Sequence, residues 1–251
     1  MPLDLASVRA RLPGRRIDWF SSVNSTMILA ALAARDGCAS GTVIGADGQV
    51  AGIGRHGHAW HSEAEAGLYV SIVLRLPVDA NALPVMMLAL GIATKEAIAD
   101  VAGIDVDIRW PNDIMIGGKK CAGILAQIEG GAVVAGIGIN VNHPGFPADV
   151  APLATSLLLE GKRGVSREDL LVALLKAVDA SAKILVEQGA AAILDMFTQA
   201  SSYARGRRVR VEQNGAMIEG TTCGLDPSGF LVVREDNGKE TTILAGGVRP
   251  A

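Results

Sequence analysis

Gly117-Gly118 is a two-residue turn between two apolar runs, and it dictates how the middle of the chain must fold. Ile114-Met-Ile116 reads as a short buried strand and Cys121 to Gln127 as its returning partner, because paired glycines accept the positive φ of a tight hairpin. Upstream, Trp110-Pro111 predicts extended backbone, since proline pushes the residue before it out of the α region. The register then sets Ile116 opposite Lys119, Met115 opposite Lys120 and Asp113 opposite Ala122. Residues two apart on a strand share a face, so Lys120 and Asp113 emerge diagonally close on one side. Gly123, one step further, has no side chain to keep a ligand off the backbone. A lysine, a carboxylate and an open backbone patch suit an anionic ligand. The bland alternative is a surface hairpin with an ordinary ion pair; the string Trp110-Pro-Asn-Asp113, rare by chance, weighs against it.

The 251 residues are enough for one large domain plus a small one, and 49% hydrophobic residues allow a sizeable core. A net charge of −3 gives no general argument for nucleic acid or an anionic membrane. Met1 to Phe20 has no apolar core of a secretory signal. The run Leu83–Ala93 is far short of the ~20 apolar residues that span a bilayer. Cys38, Cys121 and Cys223 are odd in number and far apart, which fits a reducing cytoplasm and no metal motif.

Along the chain, Arg15–Phe20 is the first expected strand and Met27–Arg35 the first expected helix. Ser25 reads either as its N-cap or as a hydroxyl that bonds a ligand, and local sequence leaves both open. After the strand Thr42–Ala46 comes Gln49-Val-Ala-Gly-Ile-Gly-Arg-His-Gly-His-Ala-Trp60, whose three glycines expose backbone N–H groups that can wrap an anion. It lacks the Gly-Lys-Ser/Thr ending of a Walker loop. Arg55 can pair with a phosphate or carboxylate, and Trp60 can stack on a base. His56, His58 and His61 come without a ligand pattern and read as loop polarity. Gly67–Leu76 and Gly131–Val141 read as strands, the latter with Gly136 and Gly138 where another group can approach closely. Helices are expected over Asn81–Val101, from Ser166 to Glu187, and on to Ala200. The remainder carries four short strands separated by Asn-Gly and Pro-Ser-Gly turns, a small all-β module. Its arginines, Arg205, Arg207, Arg208 and Arg210, have no interleaved aromatics and read as a solvated strand face.

Taken in order, Ser25-Thr26, the loop Gln49–Trp60, Gly67-Leu-Tyr-Val-Ser71, Trp110-Pro-Asn-Asp113, Lys120-Cys-Ala-Gly-Ile-Leu125 and Gly138-Ile-Asn-Val-Asn142 resemble the bacterial biotin protein ligases of the type without a DNA-binding domain. The resemblance runs from about Ile17 to Arg249. It implies an α+β fold: a mixed sheet with flanking helices, related to class II aminoacyl-tRNA synthetases and lipoate ligases, over 1–204, then an SH3-like β-barrel over 205–251. It implies ATP-dependent activation of biotin to biotinyl-5′-AMP. Transfer to one lysine of a carboxylase's biotin carboxyl carrier domain follows.

The implied roles fall on particular residues. Arg55, Lys120 and Asp113 carry the chemistry. Ser25, Thr26, Gln49, Ile53, Gly54, Arg55, Lys120, Gly123, Leu125 and Ile139 receive biotin. Arg55, Trp60, Asn112, Lys120 and Asn140 receive the adenylate. Mg²⁺ is expected on the ATP phosphates, with no dedicated protein ligand. Three departures stand out: Met27 replaces the family's asparagine, Ile53 an arginine and His58 a later arginine. The rivals are a lipoate or octanoate ligase, a silent adenylate binder, and a repressor. The last needs a DNA-reading module of about 60 residues, against about 15 ahead of the first strand. A homodimer is left open.

Overall fold

The computed structural model describes residues 2–251, the side chains of His56 and Ala80 apart. A short helix α1 (Leu5–Arg11) leads into β1 (Ile17–Phe20), α2 (Thr26–Arg35) and β2 (Val43–Ala46). A loop follows, carrying the two-residue strands β3 (Gly52–Ile53) and β4 (Ala59–Trp60), and β5 (Gly67–Leu74) closes it. Next come α3 (Leu83–Ala102), β6 (Asp107–Arg109), β7 (Asp113–Ile116), β8 (Lys119–Glu129) and β9 (Ala132–Asn140). The larger part ends with α4 (Leu157–Gly161), α5 (Arg167–Gln188) and α6 (Ala190–Ala200).

Local chemistry explains most boundaries. Pro84 sits in the first turn of α3, and Gly103 ends that helix at φ +66°. Ser166 caps α5 by accepting from Asp169 N, with Glu168 and Asp169 beside the positive end of the helix dipole. Helices α1 and α4, of seven and five residues, are too short to declare a periodicity and were not expected from sequence.

The seven-stranded sheet runs β1-β2-β5-β9-β8-β7-β6, parallel between β1 and β2 and antiparallel elsewhere. Strict alternation sorts its two faces. Leu68, Val70, Ile72 and Leu74 of β5, with Ala135, Ile137 and Ile139 of β9, join the main core beneath α3, α5 and α6. Val73 and Val134 face the other way, under Met27, Ala30 and Ala34 of α2. Helix α2 covers one end of that second face; the remainder is paved by Gly123, Gly136 and Gly138 and roofed by the loop between β2 and β5.

Two expectations are corrected. Trp110-Pro111 is not an extended run: its peptide bond is cis, and it lies in a turn that folds β6 back on β7, with Ile108 opposite Ile114. The hairpin register holds for Ile116↔Lys119 and Met115↔Lys120, then shifts, so that Asp113 faces Gly123 and Ile114 faces Ala122. The cause is a bulge at Cys121, where two successive residues, Cys121 and Ala122, both enter the core. Burial pushes the Cys121 thiol up to about 12, so it is an inert core group.

Beyond Ala200 lie β10 (Arg205–Gln213), β11 (Ala216–Leu225), β12 (Leu231–Glu235), β13 (Glu240–Ile243) and β14 (Arg249–Pro250). They form an antiparallel sheet in the order β13-β12-β11-β10-β14. No ladder joins its edge strands into a closed barrel, but Gln213 reaches across to β13, donating to Thr242 O (3.1 Å) and accepting from Leu244 N (2.7 Å). This sheet is tied to the larger part through buried Trp110, whose Nε1 donates to Gly229 O at 3.0 Å. Gly229, at φ +88°, also lies against Leu88 and Val85 of α3. Trp110→Phe is expected to cost about 1–3 kcal/mol, because the carbonyl loses this N–H donor; a urea melt that matches the parent would refute it. No helix among the described residues is long and apolar enough to cross a membrane.

Candidate active site

Glycines make the floor of the site. A cleft lies above Gly123, Gly136 and Gly138, bounded by α2 at one end and by the loop from β2 to β5 above. The base of that loop is held firmly. Asp47 forms a buried ion pair with Arg167 of α5 (2.9 Å), and its carbonyl accepts from Glu65 N (2.9 Å). Within the loop, Gly52 pairs with Trp60 and Ile53 with Ala59, and a 3-10 turn over Arg55–Gly57 reverses the chain.

One end of the cleft is polar. Ser25 has the extended backbone of an N-cap, but its hydroxyl makes no capping bond. Gln49 Oε1 takes over there, accepting from Thr26 N (2.9 Å) and Thr26 Oγ1 (3.2 Å). Ser71 Oγ donates to Thr26 Oγ1 (2.9 Å), and Gln49 Nε2 donates to Ser62 Oγ (3.0 Å). Ser25 Oγ is buried without a partner among the described residues. Native proteins rarely leave a buried hydroxyl unbonded, because it costs about 1–3 kcal/mol. This one lines a cleft, where a ligand can bond it.

The other end is cationic. The bulge at Cys121 brings Lys120 onto the same face as Gly123, although the two are three residues apart. A Cβ on Gly123 would lie 2.9 Å from Lys120 Nζ. Asp113 bridges to Lys120 and, at 2.7 Å, to Arg109. Burial would raise the Asp113 carboxyl, but Lys120 and then Arg109 outweigh it and hold it below the usual carboxylate range. From the roof, Arg55 Nη1 donates to Asn112 Oδ1 (2.8 Å), and Asn112 Nδ2 donates to Ile124 O (2.7 Å). Burial lowers the Arg55 guanidinium, and Asp113 partly offsets that; it remains charged at any working pH. The indole of Trp60 lies on the glycine floor, with Lys120 Nζ 5.2 Å from its centroid. A Cβ on Gly138 would come within 2.6 Å of Trp60 Nε1, a buried donor with no partner among the described residues.

Of the residues singled out from sequence, Ser25, Thr26, Gln49, Ile53, Gly54, Arg55, Trp60, Asn112, Lys120, Gly123 and Leu125 line this one cleft. Asp113 and Asn140 stand behind Lys120 instead. Asn140 Nδ2 donates to Thr155 O (3.0 Å) and Lys120 O (3.5 Å), bracing the backbone there. Ile139 is a correction. It pairs with Ala122 and Leu68 and points into the main core, because odd positions of β9 face away from the cleft. The sequence reading passed over Tyr69 and Arg109. Gly136 and Gly138, expected from sequence as places of close approach, floor the cleft, and Met27, expected only as a departure from the family pattern, lines it too.

Comparison with known proteins accords with this geometry. Residues 19–143 match the model of the biotin/lipoate A/B protein ligase family, and residues 205–248 match that of the biotin protein ligase C-terminal domain. The biotin–[acetyl-CoA-carboxylase] ligase of Mycobacterium tuberculosis is 34% identical over 98% of this chain and 94% of its own. This chain belongs to the biotin protein ligase family. The bifunctional ligase/repressor BirA of Bacillus subtilis is 29% identical over 92% of the chain and 73% of its own. A biotin protein ligase from Aquifex aeolicus, solved with biotin and ATP, superposes with a TM-score of 0.84 at 28% identity. It covers 94% of this chain and 99% of its own. Against the family pattern, Met27 of this biotin protein ligase brings a thioether to the cleft. Its Sδ fills the space that a Cβ on Gly136 would need, 2.5 Å away. Ile53 lines the roof with an apolar side chain that is 40% exposed.

Proposed function

We propose that this chain activates biotin with ATP to biotinyl-5′-AMP and then passes the biotinyl group to a lysine of a biotin carboxyl carrier domain. One observation carries the reading: Arg55 from the roof and Lys120 from the floor line a single cleft whose far end offers an unpartnered hydroxyl. The family, and a relative solved with biotin and ATP, agree with it.

In the first step a biotin carboxylate oxygen attacks the α-phosphorus and pyrophosphate leaves. Two anions must meet, and fixed positive charge offsets their repulsion without reorganising at the moment of reaction. Lys120 and Arg55 supply that charge, and Asp113 and Asn112 aim them. The ureido ring, which has both donors and acceptors, is assigned to Ser25, Thr26 and Gln49. Leu125 and the glycine floor take its apolar parts once the Trp60 indole that lies on that floor moves to take the adenine. In the second step the carrier lysine's amine attacks the biotinyl carbonyl, and AMP leaves. No carboxylate lines the cleft among the described residues, and Asp113 is already engaged by two cations. The chain therefore does not fit as a dedicated Mg²⁺ cage, and the ion is assigned to the ATP phosphates. Three free cysteines agree with a cytoplasmic setting.

Purified protein, ATP and either biotin or lipoate should release pyrophosphate with biotin only, and a carrier domain should then gain covalent biotin. Release with lipoate alone would overturn the reading. Ser25→Ala is expected to weaken biotin binding about tenfold, the worth of one hydrogen bond, with Tm unchanged. A lower Tm with intact affinity would mean that the hydroxyl is structural.

A further inference from the structure

A second cluster of chemistry-bearing side chains lies outside the cleft. His61 and Glu63, on the leg of the roof loop that returns to β5, meet His143, just beyond β9. The donor atoms of the three lie within 4.8 Å of one another. None of the three lines the cleft. The group is not the three loop histidines that stand together in the sequence.

Hydrogen bonding decides which nitrogen His143 offers. The Tyr69 hydroxyl has one proton and donates it to Glu63 O at 2.9 Å. At its other contact, 3.1 Å from His143 Nε2, it must therefore accept, so Nε2 carries the imidazole proton. Nδ1 is left with a bare lone pair, and it is buried with no partner among the described residues. His143 is fully buried and stacks on Phe146, ring centroids 5.2 Å apart. An imidazole whose N–H is held by an oxygen and whose other nitrogen is free, beside a second imidazole and a carboxylate, is the arrangement that metal-ligating histidines adopt.

We propose that His61, Glu63 and His143 form a binding site for a zinc-class divalent transition-metal ion. Two imidazoles and one carboxylate suit Zn²⁺ and its neighbours, whereas Mg²⁺ prefers all-oxygen sets. The fourth position is open to water. Tetrahedral donors at 2.0–2.1 Å from zinc are about 3.3 Å apart, so side-chain rotations have little distance to cover in bringing the three donors to that spacing. The ion would clip the returning leg of the roof loop to the end of β9. That leg carries Trp60 and also Ser62, which accepts from Gln49, so metal occupancy would steady one wall of the cleft from outside it.

The test uses untagged full-length protein, stripped with a chelator and kept free of ATP and Mg²⁺. Zn²⁺ titration by calorimetry should show one saturable site, and Zn²⁺ should raise Tm. Co²⁺ should give the intense visible absorption of a four-coordinate ion. His61→Ala and Glu63→Gln should each weaken binding by on the order of 10–100-fold, with circular dichroism unchanged, while His58→Ala binds as the parent does. No saturable binding, parent-like binding by the His61 and Glu63 variants, or loss in His58→Ala would each overturn the proposal.

Discussion

Lys120→Ala is expected to slow biotin-dependent exchange between pyrophosphate and ATP by about 10²–10³-fold, the usual effect of removing one group aimed at charge that develops in a transition state. The fold should survive, because Asp113 keeps its second partner, Arg109, at 2.7 Å, and no carboxylate is stranded. The loss should therefore fall on the chemical step and leave Tm close to the parent's. An unaltered exchange rate would remove Lys120 from the chemistry and reduce its bridge to Asp113 to a structural contact.

Arg55→Gly should act later, on retention of the intermediate. The guanidinium is held by Asn112 in a half-buried setting, from which it can bond the adenylate phosphate. A charge-assisted bond of this kind is worth about 1.5–3 kcal/mol, so release of biotinyl-5′-AMP should quicken by about 10–100-fold. The new glycine, between Gly54 and the turn at Gly57, also loosens the roof. Escaped adenylate acylates whatever amine it meets, so bystander lysines should become labelled. Stopped-flow release and mass spectrometry of a bystander protein check both effects. An unchanged off-rate together with unchanged selectivity would mean that the roof holds its ligand without this side chain.

The misreadings have physical causes. At the hairpin the turn chemistry was right, with Gly117 and Gly118 at φ +55° and +82°, and the first two pairs followed from it. The register failed at Cys121 because a bulge between two small apolar residues leaves no trace in an apolar pattern; either residue is content in the core. Ile139 was assigned to a wall through its motif, while its parity with Ile137 already set it on the core face. At Trp110-Pro111 the local preference for extended backbone yielded to the antiparallel return of β6 onto β7. Nothing local marks His143, because His61 and Glu63, whose donor atoms lie near its own, are some eighty residues away along the chain.

The sequence by itself determined the longer elements, the glycine-paved strands, the order of the motifs and the residue types that an anion-joining site requires. These depend on turn chemistry, periodicity and capping, which act over a few residues. Tertiary structure alone decided that Lys120 swings over Gly123, that Arg55 descends to Asn112, that Ser25 is left without a bond, and that Tyr69 sets the tautomer of His143. Each of these depends on segments that the seven-stranded sheet brings together on the face opposite its main core, and no local rule records which side chains meet there.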